Sequence, residues 1–276
     1  MDIIKADGTT EVFHPEKLRE SLLSAGASLQ VAGKIVAHIE EELTGQISSS
    51  DLYRHAFDLL RSSERRVAAR YSLKRAIAAL GPSGFPFEKY IAELFKVKGY
   101  TVLTDQFLNG KCAEHEVDVV AWKQESLVAV EAKFHNELGV KSDLKVALYI
   151  KARFDDLRNE KFTFGGRERG ISDFLLITNT KFTEKAIQYS ECAGVALVGW
   201  NYPERGNLHD MIEETNLHPI TCLSVFSQAD FRMLFDRGIV LCRSVREEAE
   251  KVREIGINEQ TISRAIEESN AFCPIV

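Results

Sequence analysis

Two acids and a lysine in the middle of the chain are the residues best placed to do chemistry. In Leu127-Val128-Ala129-Val130-Glu131-Ala132-Lys133-Phe134, the two-residue period of a strand puts Glu131 and Lys133 on one face. The preceding segment, Glu116-Val117-Asp118-Val119-Val120, presents Asp118 among apolar neighbours. The short connection between the two segments predicts a hairpin that brings Asp118 beside Glu131. Carboxylates in a mostly apolar sheet are costly unless something compensates them. A hard divalent cation, Mg²⁺ or Mn²⁺, would do so, with Asp118 and Glu131 as ligands. Lys133 would then orient a water molecule or stabilise developing charge. A bare Glu-x-Lys is better explained by a salt bridge on a solvent-facing sheet. The upstream Asp118 and the apolar flanks argue for more.

A second group stands at the start: Lys5, Gly8, Glu11, His14 and Lys17. Ile3–Ile4 and Val12–Phe13 flank an Asp7-Gly8 turn signal, so Lys5 and Glu11 fall on opposite arms of a predicted hairpin. Lys17 opens the helix that Pro15 predicts. Two ammonium groups beside a helix N-terminus suit a polyphosphate, although spacing alone favours plain surface charges of a small domain.

Around these groups the periodicities predict a small hairpin-plus-helices unit. Helices follow over 31–43, from the cap residues Ser48-Ser49-Ser50-Asp51 to about Leu60, and over 64–80. The uncharged Gly81-Pro82-Ser83-Gly84-Phe85-Pro86 reads as a hinge-like linker over 81–86. Beyond it come a helix near 86–98 and strands near 100–104, 116–122 and 126–134. A helix over 142–158, two strands flanking a helix at 182–192, and short helices from about 227 complete the chain. Strands followed by alternating helix and strand predict an α/β (α+β) fold with a mixed sheet. The domain reading is 1–80, 87–220 and a helical region over 221–276. Lys141, Lys145, Tyr149 and Arg153 recur every four residues on the 142–158 helix, a stripe suited to a nucleic-acid backbone or to a solvated face. The arginines of 61–75 read as a plain exposed face.

The chain has 276 residues, 45% hydrophobic and 28% charged, an ordinary globular balance. No run of apolar residues suits a membrane span and the start lacks a signal-peptide pattern, so a cytoplasmic protein with no membrane partner is expected. Five scattered cysteines without a Cys-x-x-Cys pair indicate neither a disulfide framework nor a zinc knuckle. The net charge of −6 gathers beyond residue 200, which leaves room for a basic face earlier in the chain.

Phe87-Glu88-Lys89-Tyr90, Gly99-Tyr100, His115-Glu116-Val117-Asp118 and Val130-Glu131-Ala132-Lys133 resemble the core of the PD-(D/E)xK nucleases, in particular Mrr-like restriction endonucleases and archaeal Holliday-junction resolvases. That resemblance implies a metal-dependent DNA endonuclease whose catalytic residues are Glu88, Asp118, Glu131 and Lys133. Val117 stands where the family name has proline. Residues 1–80, through Ile4-Lys5-Ala6-Asp7-Gly8-Thr9-Thr10-Glu11-Val12-Phe13 and Ile47-Ser48-Ser49-Ser50-Asp51-Leu52, resemble an ATP-cone. This second resemblance implies ATP or dATP as a regulatory ligand, held by Lys5, Glu11, His14, Lys17, Ser49 and Tyr53, and a homo-oligomer whose size or activity the nucleotide sets. A nucleotide-sensing DNA-binding or assembly protein without turnover is the alternative.

Overall fold

The computed structural model describes residues 2–272 except Ala6, Asp7, Leu43, Thr44 and Leu138, and it leaves aside the side chains of Ser50, Arg65, Arg66, Ala69, Arg70, Ala271 and Phe272. Most of the arginine face and half of the predicted Asp7-Gly8 turn therefore lie outside the described residues. Gly8 has a φ of +82°, the left-handed conformation that glycine adopts without cost.

The first unit consists of β1 (Asp2–Ile4), β2 (Thr10–Val12), α1 (Pro15–Ser24), α2 (Leu29–Glu42), β3 (Gln46–Ser48), α3 (Ser49–Ser63) and α4 (Arg65–Ala78). β1 pairs antiparallel with β2 and parallel with β3. Pro15 opens α1, and the Ser48 hydroxyl caps α3 by accepting from Asp51 N, as the cap residues predict. β3 escapes sequence reading because its three residues are too few to show a period.

α5 (Phe85–Val97) follows, then the strands β4 (Thr101–Asn109), β5 (Glu114–Lys123) and β6 (Ser126–Lys133). Next come β7 (Lys141–Ser142), α6 (Leu144–Leu157), β8 (Lys161–Phe164), β9 (Arg167–Gly170), β10 (Asp173–Thr178), β11 (Lys181–Phe182), α7 (Glu184–Ala193) and β12 (Ala196–Val198). α8 (Leu208–Thr215), α9 (Gln228–Asp236), α10 (Ser244–Glu247), α11 (Ala249–Glu254) and α12 (Glu259–Phe272) end the described chain. The central sheet has the order β12-β10-β6-β5-β4. β4, β5 and β6 form an antiparallel meander, whereas β6, β10 and β12 run parallel. The fold is therefore α+β with a mixed sheet, as predicted. The β8–β9 hairpin and α8 were not.

Alternation sorts the sheet residues into two cores. Val119, Ala121, Val128 and Val130 face α5 and α8, while Val120, Leu127 and Ala129 face α6 and α7. Phe87, Tyr90, Ile91 and Leu94 of α5 are fully buried, each worth about 1.5–3 kcal/mol in transfer free energy. A third core, built from Ile220, Phe231, Leu234, Val245, Val252 and Ile262, organises the C-terminal helices.

At the expected hinge over 81–86, a short, mostly exposed turn joins two helices that share one core. Leu73, Ile77 and Leu80 of α4 and the turn after it join the same core as α5 and the sheet. A β-carbon on Gly81 would run into Asn136 and Phe134. The Thr221 hydroxyl donates to Ala76 O, a further tie across the corner. Helix 64–98 is interrupted here, as predicted; in the break Leu80 is buried, while Pro82, Ser83 and, at the start of α5, Phe85 are exposed.

Candidate functional site

The strand register builds an acidic row. Thr104 pairs with Val119 and Gln106 with Val117, so Asp105 lies opposite Asp118. Val119 pairs with Val130, which puts Asp118 opposite Glu131. The β5–β6 pairing ends at Val119–Val130 and the β4–β5 pairing skips Asp105 before resuming, and the Asp118 carboxylate itself accepts from Ala132 N at 2.7 Å. Asp105 has a φ of +57°, a conformation uncommon outside glycine. Glu88 arrives from the first turn of α5, on the other face, and hydrogen-bonds Asp105.

These carboxyls disturb one another. Burial and then the charges of Asp118 and Asp105 push Glu88 up to about 8. Burial and the Asp118 charge push Glu131 up to about 7, against the pull of Arg153 and Lys133. Asp118 is also raised, chiefly by burial. Burial raises Asp105 too, but hydrogen bonds from Lys89, Thr104 and Glu88 outweigh it and leave that carboxyl low. At neutral pH Glu88 is therefore protonated and donates to Asp105. A site of raised carboxyls with one retained proton is short of positive charge.

On the α6 side the row opens into a cleft of about 280 Å³ lined by Glu114, His115, Glu116, Asp118, Glu131, Tyr149 and Arg153. Arg153 Nη1 donates to Glu131 Oε2 at 2.7 Å and its guanidinium lies 5.4 Å from the Tyr149 ring. This corrects the expected stripe. Lys141 belongs to β7 and not to the helix, and Arg153 faces the acids instead of solvent. Lys133 is exposed, two residues past Glu131 on the same face. The structure thus brings Glu88, Asp105, Asp118 and Glu131 together, with Lys133 beside them. Sequence reading missed Asp105 and Arg153. An acid in the middle of Thr101–Leu108 was a usable signal for the first. For the second, only the packing of α6 shows it.

His115 and His135 serve structure. His115 Nε2 bonds Asp156 at 2.8 Å, pulling the Asp156 carboxyl down to about 2, and Asp156 also accepts from Cys112 N and Ala113 N. A β-carbon on Gly110 would collide with the same carboxylate. His135 Nε2 lies 2.9 Å from Ser142 Oγ, and the Asn179 side-chain amide bonds both the N–H and the C=O of His135. Asn179 thus holds the end of β6.

In the first unit, Glu11, His14, Lys17, Ser49 and Tyr53 line one cleft of about 220 Å³, together with Phe13, Ser21 and Tyr71. Glu11 Oε2 lies 2.7 Å from Lys5 Nζ and 3.5 Å from Lys17 Nζ. The hydrogen bond from Lys5 is the main reason the Glu11 carboxyl sits below its usual range. The predicted residues are thus assembled around a carboxylate clamped by two ammonium groups. Tyr53 and Tyr71 stack at 4.8 Å, and Arg75 lies 3.7 Å over the Tyr53 ring. The same two tyrosines line a larger cleft of about 630 Å³, which also touches Lys74, Arg75, Lys181, Trp200 and His209. That cleft opens between the first unit and the sheet domain. Among the described helices, none is long and apolar enough to cross a membrane.

Two family models match the chain, one at each end. Residues 1–79 match the ATP cone domain, and residues 218–273 match the AF1548-like C-terminal domain. An uncharacterised protein of Archaeoglobus fulgidus is 36% identical over 180 residues, covering 65% of this chain and 97% of its own length. The crystal structure of AF1548, a protein of unknown function, shares 33% identity with a TM-score of 0.58 over 68% of this chain and 97% of that one. Can2 from Sulfobacillus thermosulfidooxidans, in complex with cyclic tetra-adenylate, aligns with 72% of this chain and 54% of its own at 10% identity, and its TM-score of 0.34 carries no argument. The chain belongs to the AF1548-like family, with an ATP-cone domain at its N-terminus.

Proposed function

We propose that the protein is a metal-dependent DNA endonuclease controlled by ATP or dATP bound in the cone. The observation that carries the reading is the row of Asp105, Asp118 and Glu131 with Glu88 behind it, in which three carboxyls are held above their usual range. Oxygen donors of this kind fit Mg²⁺ or Mn²⁺, with Asp118 and Glu131 as ligands. The bound ion would polarise a phosphate oxygen and make water a better nucleophile at neutral pH. Asp118 is preset for its role because Ala132 N fixes one carboxylate oxygen. Glu131 is oriented by Arg153, which also offers a guanidinium to a phosphate entering the cleft. Lys133, exposed at the end of β6, is free to orient the attacking water or meet charge on the phosphate. Glu88 holds a proton that it can yield as positive charge arrives. The nuclease resemblance of 87–220 supports this reading, and the AF1548-like relatives are silent on it.

The cone supports the regulatory half. Lys5 and Lys17 would exchange their shared Glu11 partner for phosphate oxygens, a charge-assisted contact stronger than a neutral one. Tyr53 and Tyr71 border both the cone cleft and the cleft facing the sheet domain, so a ligand that shifts them acts on both. A ligand changes activity only by favouring one conformation or assembly over another, and a homo-oligomer is the expected readout.

The test is incubation of the full chain with supercoiled plasmid and Mg²⁺ or Mn²⁺, with and without ATP or dATP. Nicking by the wild type and none by Asp118→Asn or Glu131→Gln is the expected result. DNA binding without nicking under every metal condition would replace catalysis by the nucleotide-sensing, DNA-binding alternative.

A further inference from the structure

Away from both clefts, α2 and α3 bring three metal-type ligands to one point. His38 and Glu42 stand one turn apart on α2, and His55 faces them from α3. His38 Nε2 lies 3.2 Å from Glu42 Oε2, and His55 Nε2 lies 3.0 Å from the same oxygen. All three ligand atoms fall within 4.8 Å of one another. The two rings stack with centroids 5.6 Å apart and 18° between their planes.

Hydrogen bonding accounts poorly for this arrangement. A neutral imidazole has one N–H, so both rings would have to carry it on Nε2 and aim it at a single oxygen. His55 Nε2 is sealed from solvent and makes no aligned hydrogen bond even though Glu42 is close. A sealed polar atom without a proper partner costs free energy. Lone pairs converging on one ion remove the difficulty. With metal–ligand bonds of 2.0–2.1 Å, the ligand–ligand edge of a tetrahedron is about 3.3 Å, close to the two measured separations.

We propose that His38, Glu42 and His55 form a zinc(II) site. Two imidazoles and one carboxylate are a borderline donor set that favours zinc and its neighbours over Mg²⁺. Three protein ligands leave a fourth position for water, and the half-exposed Glu42 gives the ion a way in. The ion would tie α2 to α3. Because α3 also presents Ser49 and Tyr53 to the cone cleft, the tie stiffens one wall of that cleft. Neither the nuclease reading nor the nucleotide reading is needed for the site to exist.

The test uses the full chain carrying Asp118→Asn and Glu131→Gln, so that the acidic cleft cannot compete for metal. After chelator treatment it is titrated with Zn²⁺ by calorimetry and with Co²⁺ by visible absorption. A single equivalent should bind, and Co²⁺ should give the strong d–d bands of a tetrahedral nitrogen–oxygen set without a thiolate charge-transfer band. The melting temperature should rise with zinc concentration. Glu42→Gln, at the exposed end of α2, and His38→Ala with His55→Ala should each weaken binding by about 100-fold or more. Absence of saturable binding, a thiolate band, or undiminished binding in Glu42→Gln would overturn the proposal. If the double histidine variant fails to fold, Glu42→Gln alone decides.

Discussion

The acidic cleft and the cone cleft handle charge in opposite ways. In the cone, Glu11 sits between Lys5 and Lys17, so its charge is more than answered and one positive charge is left over before any ligand arrives. In the sheet domain, register sets Asp118 beside Glu131 and α5 adds Glu88, and the cations near them, Arg153 and Lys133, leave these carboxyls above their usual range. The first cleft is exposed and built on three-residue strands. The second sits on strands of eight to ten residues that cannot shift without breaking the ladder. An exposed cluster with one positive charge to spare suits an anionic ligand that must come and go. A strained, half-buried one suits an ion whose charge the chemistry requires, and rigidity there serves preorganisation.

The sharpest way to break this contrast is to neutralise the row. Asp118→Asn keeps an acceptor for Ala132 N while removing the charge, and Glu131→Gln keeps the shape on the Arg153 side. Each should lower plasmid cleavage on the order of 10³-fold or more with little loss of fold by circular dichroism. Cleavage within a few-fold of wild type in Asp118→Asn would show that the row is a structural accident.

In the cone the expected effect is smaller. Lys5→Ala with Lys17→Ala removes two charge-assisted contacts to a polyphosphate and should weaken ATP or dATP binding by about 100-fold in calorimetry. Basal cleavage should be unchanged, because neither residue lines the acidic cleft. Equal nucleotide affinity in the double variant would move the ligand elsewhere, with the larger cleft beside Tyr53, Lys74 and Trp200 the next place to look.

The corner between the two regions gives a third test. Gly81 has no room for a β-carbon against Phe134 and Asn136, so Gly81→Ala should destabilise the protein by about 1–3 kcal/mol in urea unfolding. A hinge-like segment would tolerate the change within about 0.5 kcal/mol.

The parts of the site legible in the sequence share one property. Glu131, Lys133 and Asp118 stand in long strands whose period-two pattern fixes which face each residue takes. The cone residues follow a turn, a proline and a serine cap, all short-range signals. What escaped depends on distant packing. Arg153 reads as part of a stripe suited to a nucleic-acid backbone or to solvent until α6 is laid on the sheet, and Asp105 gains meaning only when β4 is set in register beside Asp118. Glycine and proline over 81–86 mark the turn between α4 and α5 but do not show that the two helices share one core. His38, Glu42 and His55 come from two helices, and no local spacing joins them.

The smallest expected effect concerns the proton on Glu88. Its carboxyl is raised from an ordinary 4.5 to about 8, so between those values the folded protein holds a proton that the unfolded chain has released. Stability must therefore fall as pH rises through that window and level off above it. Glu131, raised to about 7, acts in the same direction. Glu88→Gln can still donate to Asp105 but has no proton to lose, so it should flatten the decline. The gain over wild type should be on the order of 1 kcal/mol above pH 8, since solvent still reaches the half-buried group. At pH 5 the two proteins should melt alike. Mg²⁺ sharpens the comparison, because a cation must displace such protons to bind. It should therefore raise the melting temperature of the wild type more at pH 8.5 than at pH 6. In Glu88→Gln that dependence should shrink to the part owed to Glu131. A wild-type stability that rises between pH 5 and 8 without metal would mean that the row is not short of positive charge, and the contrast with the positively charged cone cluster would fail.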